Sequence, residues 1–273
     1  MSVQGEVMTA TREPRRRRPL LSRLPGSGAA MTVASIVGGI LIWQLLSLRL
    51  PPLFLPSPRD TVLGAIELWH DGTLQMAILA SSGRILVGWG LGLVVGVPIG
   101  ILMGHFRWVR TLLDPYIEFF RFIPPIALVT LAVIWLGPGE MSKVALIFYT
   151  TVFLVTLNTL AGVRAVPELR LRAAASLGAG AMRTLWTVIV PSTVPYMVTG
   201  ARLALGNSFL TIVSAEIVSA EDGLGALIWL ARNYSRTEWV FVGIIVLGWL
   251  GYAFDRLLKY ASMRLFARYG VNG

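Results

Sequence analysis

The chain has 273 residues, of which 55% are hydrophobic and only 14% charged, with a mean hydropathy of +0.69. A soluble domain is nearer one quarter charged. This composition, gathered into long apolar runs, therefore excludes an ordinary water-soluble enzyme and describes a protein solvated by lipid. The net charge of +10 does not argue for nucleic acid, because Lys and Arg fall in short segments between apolar runs, where they set membrane orientation and attract anionic headgroups.

There are no cysteines and only two histidines, His70 and His105, both outside the apolar runs. Disulfides, thiolate nucleophiles and Cys-based metal sites are excluded, and a metal site or a His-dependent hydrolase has little support.

In chain order, residues 1–28 carry Arg12, Arg15, Arg16, Arg17, Arg18 and Arg23 among Pro14, Pro19 and Pro25, and read as a disordered basic tail. The run from Ala29 to Leu48 has span length, about 20 residues. No small-x-small cleavage site closes it, so it reads as a retained first span and not as a signal peptide. Residues 49–76 form a Pro-rich loop with a short amphipathic helix over Thr61–Trp69, ended near Asp71-Gly72. The second span covers Ala77–Gly104. Leu112–Trp135 is interrupted by Pro124-Pro125 and is expected to be one kinked span whose first half lies at the cytoplasmic interface. After a turn at Gly137-Pro138-Gly139, the fourth span covers Lys143–Ala161.

The interval Gly162–Ser192 is polar. Pro167 and Glu168 suit a helix start, Glu168 and Arg172 are four apart in the favourable order, and Gly178 suits the helix end. A second helical stretch, Ala181–Val190, is expected to end at Pro191. The fifth span covers Thr193–Ile217. A Gly-rich stretch then leads to a short non-crossing helix over Ala226–Ala231, and the last span covers Val240–Leu258.

Six spans put both termini on one side. With the N-terminus inside, 16 Lys and Arg lie inside and 5 outside, which places both termini in the cytoplasm. The expected fold is all-α and polytopic: a basic tail over 1–28, a transmembrane domain over 29–265 containing the cytoplasmic loop 162–192, and a short tail over 266–273.

Gly88, Gly92, Gly96, Gly100 and Gly104 form a small-x-x-x-small ladder that admits another helix backbone. Because steps of four drift around a 3.6-residue helix, a crossing partner or more than one neighbour must meet it; packing within the chain is favoured over a subunit interface. Arg84 is expected near the outer end of its span, snorkelling to the headgroups. On the fifth span Gly200, Ala204, Asn207, Thr211 and Ser214 share one face. Asn207, Thr211 and Ser214 either bond to neighbouring helices or line a wet path for solute. Glu216 is expected near the outer interface, at small cost, whereas Arg202 needs a partner or a route to the headgroups.

Two short helices on the cytoplasmic side, joined by small residues, are suited to docking on a soluble partner; on physical grounds alone an ordinary structured loop is the better reading. Here resemblance adds to the argument. Arg172-Ala173-Ala174-Ala175-Ser176-Leu177-Gly178, then nine residues, then Val188-Ile189-Val190-Pro191, resembles the signature of ABC importer permeases. Leu55-Pro56-Ser57-Pro58, Arg84 with Gly88, Arg121-Phe122-Ile123-Pro124-Pro125, Trp135-Leu136-Gly137 and Gly223-Leu224-Gly225 resemble landmarks of the sulfonate, taurine and nitrate branch of the type I importer fold.

The resemblance implies that the loop is a coupling helix seated in a groove of an ATP-binding subunit, with Ala173, Ala174, Gly178 and Pro191 in the docking signature. Arg172 stands where the family usually has Glu, and Glu168, one turn earlier, is the candidate substitute. It further implies a pore made with a second permease chain, expected to be a copy of this one, an extracytoplasmic solute-binding protein, and a place in a bacterial inner membrane among lipid. The solute implied is a small anion such as a sulfonate, taurine or nitrate. No phosphate-binding loop is present, so the chain is expected to be no enzyme and to hold no cofactor, with ATP and Mg in the partner. An ion-coupled secondary transporter or an intramembrane enzyme would need mid-membrane acids in repeated halves, or converging catalytic groups, and neither pattern is evident.

Overall fold

The computed structural model describes residues 27–219 and 221–269. The reading of a disordered N-terminal tail falls on residues outside this set, as do the last four residues of the C-terminal tail. Every regular element among the described residues is helical. Among the described residues five helices are long and apolar enough to cross a membrane, or six if a bent helix pair counts as one span.

The centre of the bundle is built from α3 (Thr73–His105), α6 (Glu140–Arg164) and α9 (Val190–Ser219). At about 1.5 Å per residue, α3 with its 33 residues is far longer than a hydrocarbon core of about 30 Å. Its first turns therefore stand proud of α6. There they join α2 (Pro58–His70), α10 (Leu224–Asn233) and the start of α11 (Thr237–Phe266) in an end cluster of Leu68, Leu74, Ala77, Leu224, Leu227 and Val242. A second cluster, with Ile85, Ile147, Leu205 and Ile212, lies deeper, where α3, α6 and α9 meet.

Local chemistry explains the boundaries. Ser57 caps α2: its hydroxyl accepts from the Asp60 N–H at 3.1 Å, and the Asp60 carboxylate accepts from the Ser57 N–H at 3.3 Å, with Pro58 in the first turn. The Leu55–Pro58 motif is thus in part a helix start. Asp71 accepts from the Thr73 N–H at 2.9 Å, which starts α3 four residues before the expected Ala77. Likewise α6 begins at Glu140, and α11 runs past both ends of its apolar window, because polar end turns continue the backbone pattern without contributing hydropathy.

The helix α1 (Ser27–Ser47) stands apart. None of its apolar window is buried, and it is held through Trp43, whose indole N–H donates to the Pro56 carbonyl at 3.0 Å and whose ring stacks on Phe241 at 5.6 Å. Between α3 and α6, α4 (Arg107–Phe120) and α5 (Pro125–Leu136) meet at a bend of 100°. Pro124 and Pro125 supply no N–H for an intrahelical bond, so the helix stops and restarts there.

The largest departure from expectation lies at Pro191. The helix α7 (Glu168–Ser176) ends as expected, but α8 (Ala181–Thr184) passes through a π-helical turn, Leu185–Ile189, directly into α9. The stretch does not end at Pro191. The Val190 N–H reaches back five residues to the Leu185 carbonyl, and this widened turn carries the chain into α9, where Pro191 takes the second position, a place in the first turn that a proline tolerates.

Candidate functional site

In the loop between α6 and α9, Val166, Leu185 and Ile189 are buried in one cluster, and α7 adds Ala174. Ala174 is buried, while Leu169, Leu177, Met182 and Trp186 stand exposed around it. Gly178 adopts φ +74°. The Ala179 N–H donates to the Ala174 carbonyl at 3.0 Å and the Gly178 N–H to the Ala175 carbonyl at 2.9 Å, the paired bonds of a left-handed helix stop that favours glycine. Arg172 and Glu168 form an i,i+4 ion pair at 2.7 Å, both largely in solvent, so the charge of Arg172 is met within its own helix. Arg170 donates to the Ser192 hydroxyl at 3.2 Å. Ala173, Ala174 and Pro191 share the wall of an open cleft of about 880 Å³ with Arg170 and Arg183.

The polar face of α9 meets α6 through short polar contacts. The Thr211 hydroxyl lies 3.4 Å from that of Thr150, Ser208 lies 3.3 Å from Thr151, and a Cβ at Gly200 would fall 2.7 Å from the Cβ of Asn158. Thr211 is buried, and Ser214 and Asn207 are half-buried. Asn207 differs from its neighbours: its side-chain amide bonds to no described residue, and it lines a cavity of about 260 Å³ at the α4–α5 bend. The structure thus divides the stripe between helix packing at Thr211 and an open wall at Asn207.

All five ladder glycines face α6. A Cβ at Gly88 would lie 2.7 Å from Ile147 Cβ, at Gly96 2.9 Å from the Val152 carbonyl oxygen, and at Gly100 2.7 Å from the Thr156 carbonyl oxygen. Gly92 and Gly104 meet Thr151 and Val163. One neighbour meets the whole ladder because its facing positions, 147, 151, 155, 159 and 163, also advance by fours, so the two helices follow each other's drift.

Arg84 and Glu216 require correction. Arg84 does not snorkel and Glu216 is not exposed at its helix end: their side chains are 3% and 0% exposed and paired at 2.8 Å. Arg84 also reaches Glu140 at 2.6 Å, and it pairs with Asp222. Glu216 further accepts from the Ser81 hydroxyl at 2.8 Å and the Gly225 N–H at 2.8 Å, and Ser81 accepts from the Leu224 N–H at 2.8 Å. Gly223, at φ +112°, leaves no room for a Cβ against the Glu216 carboxylate. Lys143, also buried, joins through Glu140 at 3.2 Å. A buried charge persists only when paired and hydrogen-bonded, and this hub ties α3, α6 and α9 to the turn before α10. Arg202 finds its partner in Asp255 of α11, at 2.8 and 2.9 Å.

A bundle of apolar spans, joined by close helix packing and carrying an exposed loop at one end, is the architecture of a polytopic membrane protein. Residues 96–266 match the family model described as binding-protein-dependent transport system inner membrane component, and the chain belongs to that family. It is 37% identical to the taurine transport system permease protein of Escherichia coli K12 over 84% of this chain and 85% of that one. It is 31% identical to the bicarbonate transport system permease protein of Synechocystis, again over 84% and 85%. Its fold matches a chain of the MetNI methionine ABC transporter, solved in inward-facing conformations, with a TM-score of 0.62 and 20% identity over 72% of this chain and 96% of that chain. The chain is therefore a multi-pass inner membrane permease subunit of an ABC importer. The family implies an ATP-binding subunit and a substrate-binding protein as its partners, and ATP hydrolysis lies in the former.

Proposed function

We propose that this permease forms the path for a small anion, such as a sulfonate, taurine or nitrate, and that Glu168–Gly178 is the segment on which its ATP-binding subunit docks. The observation that carries the docking reading is the loop itself. Ala174 anchors α7 while Leu169, Leu177, Met182 and Trp186 are left in the open, and exposed apolar side chains grouped at one end of a protein fit a partner surface. Glu168 and Arg172 flank the docking face as a neutral pair, Ala173 and Gly178 supply its small surface and its stop, and Pro191 starts the helix behind it. The anion reading is supported by the taurine and bicarbonate relatives. Their different solutes at similar identity imply that the external binding protein sets much of the choice.

The domain reading follows: a membrane domain over 29–265 with its loop at 162–192, and tails before and after it. The excess of Lys and Arg on one side supports cytoplasmic termini, and a second copy of the chain completes the pore, with lipid around it. In this reading Asn207 borders the path, Thr211 packs behind it against Thr150, Ser214 lies one turn further along the same face, and the glycine ladder holds the wall together.

Deleting Leu171–Gly178 tests the docking assignment. The expected result, on affinity capture from solubilised membranes, is loss of the ATP-binding subunit with the permease still inserted. Retained capture refutes it.

A further inference from the structure

Arg121 sits at the break between α4 and α5, and the sequence reading assigned it no role. Twelve residues of α5 rise about 18 Å at 1.5 Å each. Measured from the Leu136 end, the break thus lies more than halfway through a hydrocarbon core of about 30 Å. Non-helical backbone at such depth is tolerated where it is buried in protein or borders a water-filled space.

Here the break, Arg121 to Pro124, walls the cavity of about 260 Å³, together with Tyr149, Thr150 and Asn207. Asn207 lies near the middle of α9, at a comparable depth. An unpaired primary amide facing dry hydrocarbon costs several kcal/mol, and the Asn207 amide has no protein partner among the described residues, so the cavity is suited to water or a polar solute. The Thr150 and Tyr149 hydroxyls already donate to the carbonyls of Ile147 and Phe120. Arg121 gives Nε and Nη2 to Glu118, at 3.0 and 2.6 Å, and its Nη1 bonds to no described residue. Glu118 is not among the cavity walls. The wall thus carries a guanidinium, set over the Phe122 ring at 4.3 Å, and the Asn207 amide.

We propose that Arg121 and Asn207 form a mid-membrane binding point for a small anion. The guanidinium selects the sign of charge and the amide donates a further hydrogen bond. The volume lies below that of sites for drug-sized ligands, roughly 300–1,000 Å³, and suits a solute of a few heavy atoms. The inference rests on the permease reading and extends it to charge selection.

The absence of cysteine allows a direct test. In the full complex in native membranes, an Asn207→Cys variant is labelled with two thiol reagents of matched size, an anionic sulfonatoethyl and a cationic trimethylammonioethyl methanethiosulfonate. Rates are normalised to free cysteine. The expected result is labelling by both, with the anionic reagent favoured about tenfold by the local field. Arg121→Gln in the same background should remove the preference, Arg121→Lys should keep it, and Glu118→Gln should enlarge it. No labelling, a preference for the cation, or a ratio indifferent to Arg121→Gln overturns the proposal. Co-purification of the ATP-binding subunit from the same membranes reports separately on the permease reading and on the folding of each variant.

Discussion

Removing the Arg84 guanidinium would leave the Glu216 carboxylate with no exposed surface and no counter-charge. Arg84→Leu is expected to cost about 3–5 kcal/mol, the penalty for breaking a buried pair, seen as a lower thermal midpoint in detergent; Arg84→Lys, which keeps the charge but loses the fork, should cost less. The ladder makes a matched comparison. Gly100→Ala meets the Thr156 carbonyl and Thr159 side chain, whereas Gly90→Ala meets nothing within 4 Å. The first should destabilise by about 1–3 kcal/mol through overpacking, and the second should be neutral or slightly stabilising through helix propensity, both read from the same unfolding curves. At this scale the spacing of the glycines was legible. The burial of Arg84 was not, although topology held the clue: α3 and α6 begin on the side where α9 ends, so Arg84, Glu140, Lys143, Glu216 and Asp222 come to one end of the bundle. Each charge taken singly passes for interfacial, and only the group explains why none of them needs the headgroups.

At the scale of elements, the exposed pair of Arg172 with Glu168 stabilises α7 very little, because both side chains are more than three-quarters in solvent. Arg172→Ala should therefore change the stability of the isolated permease by less than about 0.5 kcal/mol. A larger loss in affinity for the ATP-binding subunit, measured by titrating that subunit onto immobilised permease, would mark a contact made only in the complex. Helix stops here were readable where turn residues dictate them, as at Asp71-Gly72 and Gly178, whereas the capped starts at Ser57 and Asp71 lie upstream of the apolar runs and were not read. Proline misled. Pro124 and Pro125 do break a helix, but Pro191 does not, because the π turn before it reseats the backbone bonds. Nothing in the residue pattern of Leu185–Ile189 announces that widened turn, so the continuity of α8 with α9 was open to the structure alone.

For the whole molecule, the span count and the all-α class were written in the apolar runs, while the grouping of α2, α10 and the ends of α3 and α11 was not, since it depends on the unequal lengths of the crossing helices. The isolation of α1 yields a prediction at this scale. With its apolar window unburied and Trp43 holding it beside α2 and α11, α1 should be dispensable: a chain starting at Leu50 should keep the α3–α6–α9 core folded, as a monodisperse peak with an unfolding midpoint close to that of the full chain. A marked fall in that midpoint would show that α1 stabilises the core after all.

The glycine ladder has a mechanical consequence. From Gly88 to Gly104 its teeth engage over about 24 Å of helix, with glycine backbone against the stiff β-branched side chains of Ile147, Thr151, Val155, Thr159 and Val163 and no long flexible side chain between them to take up shear. Sliding α3 along α6 would drive each toothed position into a β-carbon of the opposing row, so these two helices share one set of rigid-body coordinates. Whatever displacement opens and closes a path through the bundle must be taken up at joints elsewhere, and the bent junction of α4 with α5 is the place where the chain has already given up its helical stiffness.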